Sequence, residues 1–367
     1  MFRMEHKQLS FCIVCRNRLE HLQQTLITNL KENNRKYVEF VLLDYNSDDG
    51  LEYWVKENLM HYLSTGILVY YRNSSAYFFH RTHSRNMAIR LSTGKIVCNL
   101  DADNYLGEGN ADYILNLFHQ NENIFVTSDY SKRDIVGRVY MYKNDFVKVN
   151  GYNEAFEGYG FEDVELYHRL QKSNLNQIYL SHPYFFRAIS HSNGMRINQE
   201  RLLCDGFSLY IHYITPYKSG FLVFYHNYDF IQGELVNNFN KFFDDLNYEK
   251  MDKNTREISP YRRIVLSGPI RKGKWERIGA EKVCCRTDRD IVFLSCEKSG
   301  TLLYDNELFY KIVDSELCNM FMMILSEAIN YRKALELIEA DAPINPSGFG
   351  RGVVFKNFDY KKAIYLR

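Results

Sequence analysis

The chain has no surplus of either charge. Lys and Arg total 46 against 45 for Asp and Glu, a net charge of +1 over 367 residues. No global basic field is therefore present to hold nucleic acid. No apolar run reaches the ~18 residues that a bilayer-spanning helix needs. The opening Met1 to Lys7 has no apolar signal core. A cytoplasmic protein is expected, with peripheral contact at the inner face of a membrane as the alternative. Internal repeats and low-complexity segments are absent. Cys12 and Cys15 form a Cys-x-x-Cys, but no second pair follows at zinc-site spacing. The eight cysteines, at 12, 15, 98, 204, 284, 285, 296 and 318, are expected to be reduced and mostly buried. After the first apolar run comes Cys15-Arg16-Asn17-Arg18, which is not a glycine- and lysine-rich phosphate loop. That counts against a nucleotidyltransferase.

What is present is alternation. Leu9–Cys15, Tyr37–Asp44, Ile67–Tyr71 and Lys95–Leu100 read as buried strands. Between them, Arg18–Leu30, Leu51–Leu63 and Thr82–Leu91 carry helical periodicity. The pattern predicts an α/β fold with a mostly parallel sheet flanked by helices. Ligands in such sheets bind beyond the carboxyl ends of the strands, where Arg16, Asp44 and Asp101 should gather. Beyond residue 105 the pattern mixes, with helices expected at Asn110–His119 and Phe161–Gln171. The length is that of about two domains. The expected division is 1–215 and a smaller mixed α+β region, 216–367, of accessory and non-catalytic role. Within the latter, Lys241–Pro260 is polar and charged and reads as a linker, and Asp305–Ala340 reads as mainly helical.

Three acidic or basic features carry the chemistry. Asp101-Ala102-Asp103 follows an apolar strand, a placement that suits a divalent cation bound through oxygen ligands. In isolation the pattern would more often be a solvated turn; its place after a buried strand favours the cation. Gly158 to Leu170 places Glu162 and Asp163 where a glycine-broken loop enters a helix. A carboxylate there can take the proton of an attacking hydroxyl, although acidic residues also favour helix starts through the dipole. Glu165 and Arg169 read as an ordinary i,i+4 pair. Gly158 and Gly160 would let backbone approach a ligand, with Tyr159 offering a ring between them. His191 sits among small polar neighbours. Gly348 to Gly352 could lie over a phosphate or form a surface turn, and Phe321–Leu325 could pack in a core or dock a membrane complex.

These segments resemble a glycosyltransferase of the GT-A (Rossmann-like) fold, of family 2 and of the β-1,4-galactosyltransferase and chondroitin-polymerase types. Ile13–Leu22 resembles the galactosyltransferase segment that contacts uridine diphosphate. Leu42–Gly50 resembles the family 2 loop whose leading aspartate, here Asp44, holds uracil. Ser84–Ile89 resembles the helix ahead of the metal-binding strand, and Asp101-Ala102-Asp103 matches the D-x-D motif. Asn150–Glu154 and Gly158–Leu170 match the acceptor-side motif, and His191-Ser192 resembles the metal-binding histidine that follows it. The resemblance spans about residues 8 to 200. In two places the chain departs from it. Tyr159 stands where tryptophan is usual, and Ala188 stands where some galactosyltransferases have a second metal ligand.

The resemblance implies an inverting, metal-dependent transfer of a hexose or N-acetylhexosamine from a UDP-sugar to a hydroxyl of a glycan acceptor in polysaccharide biosynthesis. Asp163 would be the base, with Glu162 and Tyr159 on the acceptor side. Arg16, Arg18, Asp44, Arg85 and Asp101 would bind the donor. Asp103, His191 and Asp101 would hold Mn2+ or Mg2+. The alternative is a non-catalytic nucleotide-sugar-binding protein on the same fold.

Overall fold

The computed structural model describes residues 7–128, 133–237, 264–296 and 298–367; the polar stretch Lys241–Pro260 lies outside them. The described chain forms two compact units. One comprises residues up to Glu157, Glu162–His191 and Pro343–Arg367, and the other Gly158–Phe161 and Ser192–Ala342.

The first unit is a nine-stranded sheet. Its strands are β1 (Leu9–Cys15), β2 (Val38–Tyr45), β3 (Leu68–Asn73), β4 (Ile96–Asp101), β6 (Ile124–Thr127), β7 (Val139–Tyr142), β8 (Asn176–Tyr179), β18 (Gly352–Lys356) and β19 (Ala363–Leu366). The order is β19-β18-β3-β2-β1-β4-β7-β6-β8. The four central strands, β3-β2-β1-β4, run parallel. Antiparallel pairing begins at β4–β7 on one side and at β3–β18 on the other. The sheet is therefore mixed around the parallel centre that the alternation predicts. The parallel part is the part that alternates with helices in sequence.

Seven buried residues make up β1 and eight make up β2, as a strand covered on both faces requires. Leu9, Phe11, Ile13 and Cys15 meet Leu22, Leu26 and Leu30 of α1 (Leu19–Glu32) on one face. The same cluster takes in Leu51 and Val55 of α2 (Leu51–Asn58), Leu63 of α3 (Met60–Ser64) and Ile114 and Phe118 of α5 (Asn110–Gln120). The helix expected over 51–63 is thus two helices, parted at Leu59. On the other face Cys12 and Val14 meet Met87, Ala88 and Ile89 of α4 (Arg81–Leu91). Phe146 of α6 (Lys143–Lys148) and Leu166 and Leu170 of α7 (Glu162–Lys172) complete that side. Cys12 and Cys15 thus lie on opposite faces, which a shared metal site forbids. All eight cysteines are free thiols.

The second unit is a closed eight-stranded barrel, β10 (Phe207–Thr215) through β11 (Lys218–Tyr225), β12 (Asp229–Asn237), β13 (Ile264–Ile278), β14 (Lys282–Arg286), β15 (Ile291–Ser295), β16 (Thr301–Tyr304) and β17 (Glu307–Ile312). Leu222, Phe224, Phe230, Leu294, Leu302 and Phe309 form one core of this unit. Residues of the opposite strand faces, Phe221, Val223 and Ile231, meet Met322, Met323 and Leu325 of a long helix, Ser315–Glu339. The apolar run Phe321–Leu325 is core packing. Two short helices, α8 (Asn193–Ile197) and α9 (Arg201–Cys204), precede the barrel; the long helix is α10. No described helix is long and apolar enough to cross a membrane.

The units do not divide at residue 215. β10 and β11 pair along their length across that point, where Thr215 ends β10 opposite Lys218. The last segment does not stay with the barrel. It returns to the first unit and adds β18 and β19 to its sheet. Gly348 to Gly352 accordingly is neither a free turn nor an open anion loop. Arg90 of α4 donates to the carbonyls of Phe349 (2.6 Å) and Gly350 (3.1 Å). A Cβ on Gly350 would stand 2.8 Å from the α4 backbone.

Candidate active site

The site begins with register. β1 aligns Cys15 with Asp44 and Val14 with Asp101. Arg16, Asp44 and Asp101 therefore reach the same edge of the sheet, as the alternation predicts. Their environments then separate them.

Asp101 and Asp163 converge on one guanidinium. Arg85 lies on α4 and is 2 % exposed. Its Nη1 donates to Asp163 Oδ1 at 2.9 Å and to Glu162 Oε1 at 3.3 Å, and its Nη2 donates to Asp101 Oδ1 at 3.0 Å. Arg81, one helical turn earlier, pairs with Glu162 at 3.5 Å. Arg85 is thus the hub of three carboxylates from two distant segments, a role the sequence did not show. Gly137 closes the other side. A Cβ there would stand 3.0 Å from both Arg85 Nη2 and Asp101 Oδ2 and 3.2 Å from Asp163 Oδ2. A side chain there would crowd all three groups. Asn99 fixes Gly137 through its carbonyl at 2.8 Å.

The two aspartates titrate apart. Burial pushes Asp163 up; Arg85 opposes this, while Glu162 and Asp101 add repulsion, and the carboxyl settles at about 7. Burial acts on Asp101 as well. There the charges of Arg85 and Arg81 and the bonds from Arg85 and Asn99 outweigh it and hold the carboxyl below its usual range. One site thus contains a carboxylate kept ionised and another poised near neutrality, an arrangement suited to acid–base work.

Asp103 and His191 meet separately. The two-residue strands β5 (Asn104–Tyr105) and β9 (Arg187–Ala188) pair antiparallel, and the Ile189 N–H donates to the Asp103 carbonyl at 2.9 Å. This local ladder brings together residues 88 apart: His191 Nε2 lies 2.6 Å from Asp103 Oδ2. Arg138, 1 % exposed, braces the ladder from below by donating to Asn104 Oδ1, Tyr105 O and Phe185 O. His21 of α1 stacks edge-on against His191, with ring centroids 5.5 Å apart. Burial, then the nearby Arg18 and His191, hold the His21 imidazole below its ordinary value.

Other expected residues stand elsewhere or are otherwise engaged. Asp44 is 0 % exposed. Its Oδ1 accepts from Ser47 N, and its Oδ2 from Tyr70 Oη and Arg72 Nη1, each at 2.7 Å. Arg16 donates to the carbonyls of Tyr45, Ala76 and Tyr77, which staples the loop after β3 to the end of β1. Arg18 is the residue preceding α1. Tyr159 and its flanking glycines belong to the second unit. Tyr159 N donates to Ser326 Oγ at 2.8 Å, and its ring joins the core there. Gly158 and Gly160 have φ of +87° and +92°, and Cβ atoms on them would stand 2.4 Å from Ser326 and Glu327. The close approach these glycines permit is to α10. Glu165 and Arg169 form the expected ion pair at 2.6 Å.

Asp103 with His191 offers a carboxylate and an imidazole, a pair that manganese accepts and magnesium accepts in part. No group of three or more His, Cys, Asp or Glu among the described residues could hold a metal ion. Protein ligands at this point number two, and other positions would fall to water or to a bound anion.

Residues 118–192 match the family described as the N-terminal domain of galactosyltransferase. That stretch contains Gly137, Glu162, Asp163 and His191. Arg85, Asp101 and Asp103 precede it. No curated protein matches the chain. Among solved structures, the chain is similar to a mannosyltransferase from Pyrobaculum calidifontis in complex with GDP-Man and Mn2+, at 15% identity and a TM-score of 0.41, covering 48% of this chain and 55% of that one. It is similar to S. aureus TarS residues 1–349, at 14% identity and a TM-score of 0.38, covering 44% and 55%. It is also similar to the catalytic domain of Drosophila β1,4-galactosyltransferase 7 in complex with xylobiose, at 14% and 0.37, covering 53% and 75%. The chain thus spans about half the length of the first two.

Proposed function

We propose that the chain is an inverting glycosyltransferase that moves a hexose or N-acetylhexosamine from a UDP-sugar to a hydroxyl of a glycan. The observation that carries this reading is the Arg85 hub: a carboxylate held near neutrality at Asp163, beside one kept ionised at Asp101, at the carboxyl ends of the central parallel strands. The match of residues 118–192 to a galactosyltransferase family supports the same class.

Asp163 acts as general base. It accepts the acceptor hydroxyl's proton as that oxygen bonds to the sugar's anomeric carbon. The bond from that carbon to the diphosphate breaks in the same displacement, and the diphosphate leaves with the electron pair. One displacement inverts the centre, and no covalent sugar–protein species forms. Arg85 keeps Asp163 in place and within reach of ionisation, and Glu162, on the same guanidinium, orients the acceptor. Asp103 and His191 would hold Mn2+ or Mg2+, which when bound supplies Lewis-acid stabilisation of the departing charge.

The test is a screen of UDP-sugars for release of uridine diphosphate with and without manganese. Chelator-sensitive release is expected for one donor. Activity that is indifferent to chelator would remove the metal from the reading. A glycosyl product that retains its anomeric configuration would remove the single displacement.

A further inference from the structure

One face of α1, continued by its C-cap Asn33, carries a ladder of polar residues at a spacing of four: His21, Thr25, Asn29 and Asn33, all buried. Residues four apart share a helix face. Three rungs bond to the segment that follows β4. Thr25 Oγ1 donates to the Ala102 carbonyl at 2.6 Å. Asn29 donates to the Asn104 carbonyl at 2.9 Å and accepts from Leu106 N at 2.8 Å. Asn33 donates to the Gly107 carbonyl at 3.1 Å and accepts from Ala111 N at 3.0 Å. The ladder therefore rivets α1 to the chain on both sides of Asp103.

His21 is the rung that differs. It is 5 % exposed and packs edge-on to His191, whose Nε2 meets Asp103. Its Nδ1 is buried without a hydrogen-bond partner in the protein. A buried polar atom left without a partner is destabilising, and native structures rarely keep one without a ligand or an ordered water to satisfy it. The other three rungs are fully used, so helix geometry does not account for the gap.

We propose that His21 is a ligand-binding residue of the Asp103–His191 centre, its Nδ1 hydrogen-bonding an oxygen bound there. That oxygen belongs to a diphosphate or to a cation's water. The inference rests on the reading of that centre given above.

Three variants test it: His21→Phe keeps the ring against His191 and removes the nitrogen, His21→Asn keeps a nitrogen at the Nδ1 position, and Asp103→Asn disables the centre. Each is first checked by thermal melting, with His21→Leu in place of His21→Phe should the latter not fold. Binding is then measured for Mn2+ alone, by the spin resonance of free manganese, and for UDP with Mn2+, by calorimetry. His21→Phe is expected to weaken binding tenfold to about a hundredfold, the scale of one hydrogen bond to a charged group, with His21→Asn close to wild type. Weakening with Mn2+ alone assigns the bond to the cation's water. Weakening only with UDP assigns it to a phosphate oxygen. Wild-type affinity in His21→Phe, or equal loss in the Phe and Asn variants, overturns the inference while Asp103→Asn still weakens binding. If Asp103→Asn binds normally, the reading of the centre falls, and the role of His21 falls with it.

Discussion

Asp163 lies where two demands oppose each other. Its carboxyl is 15 % exposed and shares Arg85 with Asp101 and Glu162. An unfolded chain ionises this group near 3.9, and the folded one at about 7. Below pH 4 both states keep the proton, and Asp163 costs nothing. As pH rises from 4 to 7, the unfolded state ionises first and gains, so the native state loses stability. Above 7 the loss is complete and constant. Asp163→Asn escapes it. In metal-free buffer, the variant should melt with the wild type at pH 4 and above it at pH 8. A lower melting temperature at pH 8 would show that the proton is not held back by burial and repulsion. Turnover in the same variant should fall about a hundredfold or more, as for other lost general bases. Wild-type turnover should rise as pH climbs through about 7. Arg85 behaves in the opposite way. Arg85→Ala leaves three carboxylates facing one another without their cation, and breaking a buried ion pair costs about 3–5 kcal/mol. Urea unfolding should show a loss on that scale, and a loss under ~1 kcal/mol would demote Arg85 from hub to neighbour.

At the scale of elements, the glycines around Tyr159 have a structural use. Gly158 has φ +87°, and a Cβ would meet Ser326 Oγ at 2.4 Å. Gly158→Ala forces both a left-handed alanine and a displaced serine, at about 1–3 kcal/mol for the backbone alone. Reduced urea stability is expected, whereas a role confined to ligand approach would leave stability unchanged. The sequence displayed this glycine pair but not its purpose, because the partner, α10, lies more than 160 residues onward. Legibility followed the same rule elsewhere. β1 and β2 could be read because strands buried on both faces are unbroken apolar runs. The Asp103–His191 contact was approachable because each residue carries a metal ligand's chemistry. The bonds of Asp44 could not be read: its partners Tyr70 and Arg72 lie on a strand whose pairing no local pattern states. Gly137 gave no signal, since a glycine's value here is the space it leaves. The barrel was missed because β13 and β17 are short of buried residues and it closes only through β17 returning to β10.

At the scale of the whole molecule, the decisive feature is the return of the chain. Pro343–Arg367 leaves the barrel unit and completes the sheet unit. β18 covers the open edge of β3, which would otherwise present unpaired backbone. Val354 is fully buried, Phe358 lies 4.8 Å from the Tyr70 ring, and Tyr360 donates to Glu52 at 2.7 Å. Asn345 donates to the carbonyls of Asn150 and Tyr152, and Gly350 N donates to Glu154, which also accepts from Asn86 on α4. These bonds hold the loop ahead of Glu162 and the helix that carries Arg85, so the segment supports both sides of the hub. Its removal should therefore do more than trim an accessory region. A chain ending at residue 215 lacks the barrel and this segment together. It is expected to lose cooperative melting and donor binding, not acceptor transfer alone. A chain ending at residue 342 separates the two losses, because it keeps the barrel and lacks only the returning strands. If the returning strands carry the effect, the 342 chain should be destabilised as the 215 chain is, by far-ultraviolet melting and by UDP titration. If the 342 chain melts and binds like the full protein, the segment is an edge cover without bearing on the site, and the donor site owes its stability to residues before 343.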